Sequence, residues 1–147
     1  MAMSEQEILE KVTETLIEAL GVDDDEVKLL ADSDTTVVHN PQSNMNNAVG
    51  CADVPSMMGQ GIRVCLGTDG MTSNMMEEAR ASLFVRPHVA GSPSVGFGET
   101  VGMLGNNAAL ASRFFGRQLG VLEPGAGADV IVVEHRPFTP ATPDNVW

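Results

Sequence analysis

The chain has 147 residues, with 20 Asp and Glu against 8 Lys and Arg, and a formal net charge of −12. One domain's worth of acidic sequence without a basic run excludes the electrostatic footprint of a nucleic-acid binder, and no apolar stretch approaches the ~20 residues that a bilayer-crossing helix needs. Hydrophobic residues at 43%, with 15 Gly and 8 Pro, fit a globular α/β chain, while aromatics at only 4% imply an aliphatic, methionine-filled core.

Residues 1–34 carry both lysines, a single glycine (Gly21) and no proline; every arginine and all eight prolines follow. Such a break marks a module boundary. Ser4 and Glu7 have capping-box spacing, and Ile8, Val12, Leu16 and Leu20 recur at i+4 steps up to Gly21, which predicts an amphipathic helix. Asp23, Asp24 and Asp25 then place negative charge at the start of a second short helix, where the helix dipole favours it. The ligand pattern of a calcium-binding loop is missing there.

Thr35 to Val38 is β-branched throughout and predicts a strand stopped by His39-Asn40-Pro41, with a loop after it. Val54, Met57 and Met58 fall on a short helix that runs to Gly59, and Arg63 to Leu66 predicts a second strand ending at Gly67-Thr68-Asp69-Gly70. The connection is long enough for a crossover, so the strands can lie parallel with His39 and Asp69 at the same end. Asn74 to Phe84 predicts a helix broken by Pro87, and Glu99 to Phe115 predicts one long helix or two separated near Gly105. Ala128 to Val133, after the glycine-punctuated stretch 120–127, reads as a buried strand.

Asp69 is the strongest chemical candidate, because ligands and catalytic carboxylates gather at the C-terminal ends of parallel strands. Asp-Gly is also ordinary turn chemistry, and a strand-end Asp often caps the next helix. His39 beside it could bind substrate or metal, or be held by a backbone carbonyl. Asn40, Gln42, Ser43, Asn44, Asn46 and Asn47 make a stretch rich in amides and hydroxyls, suited either to a polar heterocycle or to closing turns. His88 and His135 read as structural or exposed. No dinucleotide loop, phosphate-binding loop or nucleophile elbow is present. Cys51 and Cys65 lack metal-ligand spacing and no leader precedes the first helix, so the expectation is a cytoplasmic protein with reduced thiols.

Val38-His39-Asn40-Pro41-Gln42-Ser43-Asn44, Leu66-Gly67-Thr68-Asp69-Gly70, Asn106-Asn107-Ala108-Ala109 and the stretch from Gly120 to Asp129 together resemble the amidohydrolase superfamily. The likeness is to its aminohydrolase and chlorohydrolase branch, which includes guanine-deaminase-like enzymes, and covers roughly residues 25 to 147. It implies an α/β fold, namely the last two strands and helices of a (β/α)8 barrel over 25–117, with a return into a small β-sandwich over 118–147. Residues 1–24 form a separate amphipathic segment that is similar to the opening of acyl carrier proteins, without the serine that accepts phosphopantetheine.

The resemblance further implies metal-dependent hydrolysis of a non-peptide C–N bond in a purine- or triazine-like small molecule, with zinc as the expected divalent metal. Asp69 would be metal ligand and proton shuttle, and His39, Asn40, Ser43 and Asn44 would line the substrate pocket. The H-x-H pair and the further histidines of that superfamily have no counterpart in this sequence, so the expectation is a truncated chain, inactive alone. The rival expectation is a non-catalytic α/β interaction module or a chimeric product, its strand edges covered by a partner or by a second copy in a homo-oligomer. Neither nucleic acid nor membrane is an expected partner.

Overall fold

The computed structural model describes residues 24–134, 136, 138–140 and 142–143. The amphipathic helix expected between Ile8 and Leu20 lies outside the described residues, as does His135. The described elements run in the order α1 (Asp24–Asp32), β1 (Thr36–His39), α2 (Pro41–Asn46), α3 (Val54–Gly59), β2 (Arg63–Leu66), α4 (Met75–Ala90) and α5 (Phe97–Phe115).

The two strands pair in parallel, with Thr36 beside Arg63 and His39 beside Leu66. Their C-terminal ends therefore share one edge. Val37, Val64, Leu66 and Ile62 form the centre of an aliphatic core with Leu30, Val54, Met57, Ala79 and Met103, in agreement with the low aromatic content. Helices α3, α4 and α5 pack on β2, and α2 packs on α4.

Local chemistry explains the helix boundaries. Asp53 caps α3 by accepting from the Ser56 N–H, and Asn74 caps α4 by accepting from the Met76 N–H. Gly91 and Gly116, both in the left-handed region, end α4 and α5. At Gly102 an added Cβ would come within 2.8 Å of Met58 Cε, so the missing side chain lets α5 close on α3.

Strand β1 extends to His39, which places that residue at the strand end as expected. Two helical expectations are corrected. The Asn-rich stretch is a helix from Pro41, because proline at the first helical position has no N–H to leave unpaired and its φ is already helical. Helix α4 runs through Pro87 to Ala90: so close to the helix end the ring removes a single backbone bond, and Ser92 N–H closes on the Pro87 carbonyl at 3.2 Å. Of the two arrangements left open for the last helix, the structure has the single one: α5 is continuous across Gly105.

The expected strand over Ala128–Val133 is irregular and open to solvent, with Val132 at 99% exposure. Its β-branched residues have strand propensity, but among the described residues no strand lies beside them to complete a ladder. No helix among the described residues is long and apolar enough to cross a membrane.

Candidate functional site

Parallel pairing brings the end of β1, the start of α2 and the turn after β2 to one place. Ser43 Oγ, in the first turns of α2, donates to Asp69 Oδ2 at 2.7 Å across 26 residues of sequence. Asn47 Nδ2 donates to Ser43 Oγ at 3.3 Å, and the Gly70 N–H donates to Asp69 Oδ1 at 2.8 Å. Asp69 has φ +49°, a left-handed conformation that is uncommon for a residue with a side chain. Both carboxylate oxygens are thus held while the residue itself stays exposed.

Asn40 and Asn44 are half-buried on the same segment, one helical turn apart, with the Asn44 N–H on the Asn40 carbonyl at 2.9 Å. Gly67 faces Asn40: a Cβ there would collide with Asn40 Oδ1 and Val38 Cγ1, so the strand-end glycine leaves room for the Asn40 side chain lying across it. His39 lies behind this edge at 4% exposure, and its Nδ1 has no hydrogen-bond partner. Burial, and then the Arg86 guanidinium, push its pKa down to about 4. The ring is neutral at pH 7.

Sequence reasoning assigned no role to a second set of residues behind the site. Glu78 is fully buried, accepts the Gln42 N–H on Oε2 at 3.2 Å and leaves Oε1 without a partner. The signal was available: Met75, Glu78, Ala79 and Ser82 follow the i, i+3, i+4, i+7 spacing of one helical face, and Glu78 sits on its buried side. Arg86 donates to Asp53 Oδ1 at 2.7 Å, tying α4 to the start of α3. Cys51, beside Arg86, has its thiol pushed up chiefly by burial, and so does Cys65; both are free.

His88 is exposed on α4, apart from the cluster. Among the described residues no three His, Cys, Asp or Glu side chains gather where they could hold a metal ion. A catalytic zinc takes three protein ligands, so the single carboxylate of Asp69 does not fit a complete centre. What the arrangement provides is one oriented, solvent-facing carboxylate bordered by amides.

The chain was compared with known proteins. It is 39% identical over 117 residues to the 5-methylthioadenosine/S-adenosylhomocysteine deaminase of Syntrophomonas wolfei, covering 76% of this chain and 27% of that protein. It is 39% identical over 127 residues to the protein of the same name from Nitratidesulfovibrio vulgaris, covering 82% and 28%, and 40% identical over 118 residues to that of Haloarcula marismortui, covering 77% and 27%. The chain thus spans about a quarter of the length of the curated relatives it matches. No solved structure matches it. The profile of the amidohydrolase family matches residues 2–146, nearly the whole sequence, and the chain belongs to that family.

Proposed function

We propose that the chain supplies the Asp69 edge of a hydrolytic deaminase acting on the C–N bond of an adenosine-like small molecule. The observation that carries this reading is the Asp69 carboxylate, fixed by Ser43 and Gly70 at the C-terminal end of β2 yet open to solvent. The names of the relatives support the substrate class. In such a reaction water adds to the ring carbon bearing the amino group, and ammonia leaves. A positioned carboxylate takes the proton from water and returns it to the departing amine, a role worth about 10²–10⁴-fold in rate.

Asp69 fills that role. Asn40 and Asn44 offer amides to the ring edge, with Ser43 and His39 forming the wall behind them. In this reading β1 and β2 are strands seven and eight of a (β/α)8 barrel over residues 25–117, residues 118–147 return into a small β-sandwich, and 1–24 form a separate amphipathic segment. The setting is cytoplasmic, and a homo-oligomer covers the outer edge of β1. A divalent metal, zinc by expectation, would supply an activated water only where further ligands completed the set, and Asp69 would then be one ligand. Turnover by this chain alone is therefore expected to be absent or weak.

The test is release of ammonia from 5-methylthioadenosine by the purified chain and by Asp69→Asn, with bound metal measured on the same samples. Activity that is lost in Asp69→Asn supports the reading. Measurable activity that is equal in both proteins overturns it. One observation favours a second reading, a non-catalytic α/β module: the described residues assemble no three-ligand cluster. A metal-free, inactive protein with a sharp unfolding transition supports that alternative.

A further inference from the structure

Ser43 stands between two polar side chains, and the direction of its hydrogen bonds follows from their chemistry. Asn46 Nδ2 donates to Asn47 Oδ1 at 3.4 Å, which leaves the Asn47 amide nitrogen facing Ser43 Oγ at 3.3 Å. An amide nitrogen only donates, so the serine oxygen accepts from it. The one hydroxyl hydrogen is then directed at Asp69 Oδ2, 2.7 Å away. A short, aligned bond to a carboxylate is among the stronger hydrogen bonds available to a side chain.

The two oxygens of Asp69 are held from independent elements: Oδ1 by the next residue of its own turn, and Oδ2 by helix α2. Rotating the carboxylate breaks one of the two bonds. The backbone of Asp69 is in the left-handed region, which Asp enters more readily than most side chains and which fixes the direction in which its carboxylate leaves the turn. Ser43 itself is 6% exposed, whereas Asp69 is exposed. A ligand arriving from solvent meets the carboxylate, and the serine lies behind it.

We propose that Ser43 is a positioning residue, which aims the Asp69 carboxylate and does not touch substrate, and that Asn47 acts through it by fixing the hydroxyl. The proposal rests on the reading of Asp69 as the proton acceptor. Ser43 was expected to contact substrate; here its hydroxyl is committed to Asp69.

The test has two arms, both on the full chain. In the first, carbon-13 NMR follows the Asp69 carboxyl carbon in the wild type, Ser43→Ala, Ser43→Thr and Asn47→Ala. Expected is a displaced Asp69 signal in Ser43→Ala, a smaller displacement in the same direction in Asn47→Ala, restoration in Ser43→Thr, and unchanged signals from Val37 and Val64 in the core. An Asp69 signal indifferent to Ser43→Ala and Asn47→Ala overturns the proposal; if Ser43→Ala does not fold, Asn47→Ala decides alone.

In the second arm, turnover of 5-methylthioadenosine by Ser43→Ala is expected to lose about 10²-fold in kcat with little change in KM, as for a misplaced catalytic group. A raised KM with unchanged kcat places the hydroxyl on the substrate and overturns the proposal. Turnover that is equal in the wild type and Asp69→Asn fails the deaminase reading only, and where the chain alone turns over no substrate the carbon-13 arm decides the role of Ser43.

Discussion

The side-chain amide of Asn107 does for Leu66 what a neighbouring strand would do: its Nδ2 donates to the Leu66 carbonyl at 2.7 Å and its Oδ1 accepts the Leu66 N–H at 2.8 Å. Asn106 adds a third bond, from Nδ2 to the Val64 carbonyl at 2.8 Å. Two side chains of α5 thereby satisfy the outer edge of β2, whose residues are almost wholly buried. Asn107→Leu leaves both Leu66 groups without partners, at an expected cost of about 1–3 kcal/mol for each group left unsatisfied. Urea unfolding measures the loss, and hydrogen exchange should show it concentrated at the Leu66 amide. An unchanged midpoint would show that water takes over the role of the amide.

His39 sets an acid limit. Its pKa is about 4 in the folded chain against 6.5 for an ordinary histidine, so between these values the unfolded chain binds a proton that the folded chain refuses. Stability is therefore full above pH 6.5 and falls as the pH drops towards 4, by up to about 3 kcal/mol from this one group. Urea midpoints measured from pH 7.5 to 4 should show the decline. His39→Asn should flatten that part of the curve, and an identical slope in the variant would remove histidine as its source.

Substitutions at Glu78 separate its hydrogen bond from its packing. Glu78→Gln keeps a side-chain oxygen for the Gln42 N–H, whereas Glu78→Ala leaves that donor unpartnered and opens a cavity. The alanine variant is expected to lose about 2–4 kcal/mol and the glutamine variant less than about 1 kcal/mol. Equal losses in chemical denaturation would show that the full carboxylate is needed there.

Gly67 tests the packing of the site. Alanine at this position must displace the side chains of Asn40 and Val38, and overpacking of this kind costs about 1–3 kcal/mol. The amide signals of residues 40–47 should move in Gly67→Ala, since the helix that carries Ser43 begins directly after Asn40. Signals that stay in place would mean that the added methyl is absorbed elsewhere.

Asp69→Asn should leave the fold nearly untouched, because asparagine also tolerates the left-handed backbone found at this position. An expected change below about 1 kcal/mol makes it a clean test of chemistry rather than of stability. A large loss of stability would instead make the carboxylate a structural anchor.

The parallel pair, its crossover and the meeting of Asp69 with the α2 segment were all legible, because β-branched runs, Gly-rich stops and the length of the connection leave few arrangements open. Asn107 was quoted within a motif, yet nothing in the sequence reveals that its amide serves a strand edge 41 residues away. The break expected at Pro87 comes one turn later, where Gly91 in the left-handed region ends the helix. The strand expected over Ala128–Val133 failed because β-propensity reports suitability for a sheet and not the presence of a neighbour. Glu78 and Arg86 were missed because charged residues are normally assigned to the surface, and here the helical face overrides that habit.

The solvent-facing run from Val130 to Val133 also bears on how this protein behaves in the tube. Four β-branched residues without a charge among them are a short template for intermolecular stacking, and Asp129 and Glu134 bracket them as gatekeepers. Replacing those two carboxylates with amides removes the negative charge that flanks the run. Aggregation of such a variant would then report colloidal stickiness of this stretch rather than unfolding, and light scattering alongside circular dichroism tells the two apart.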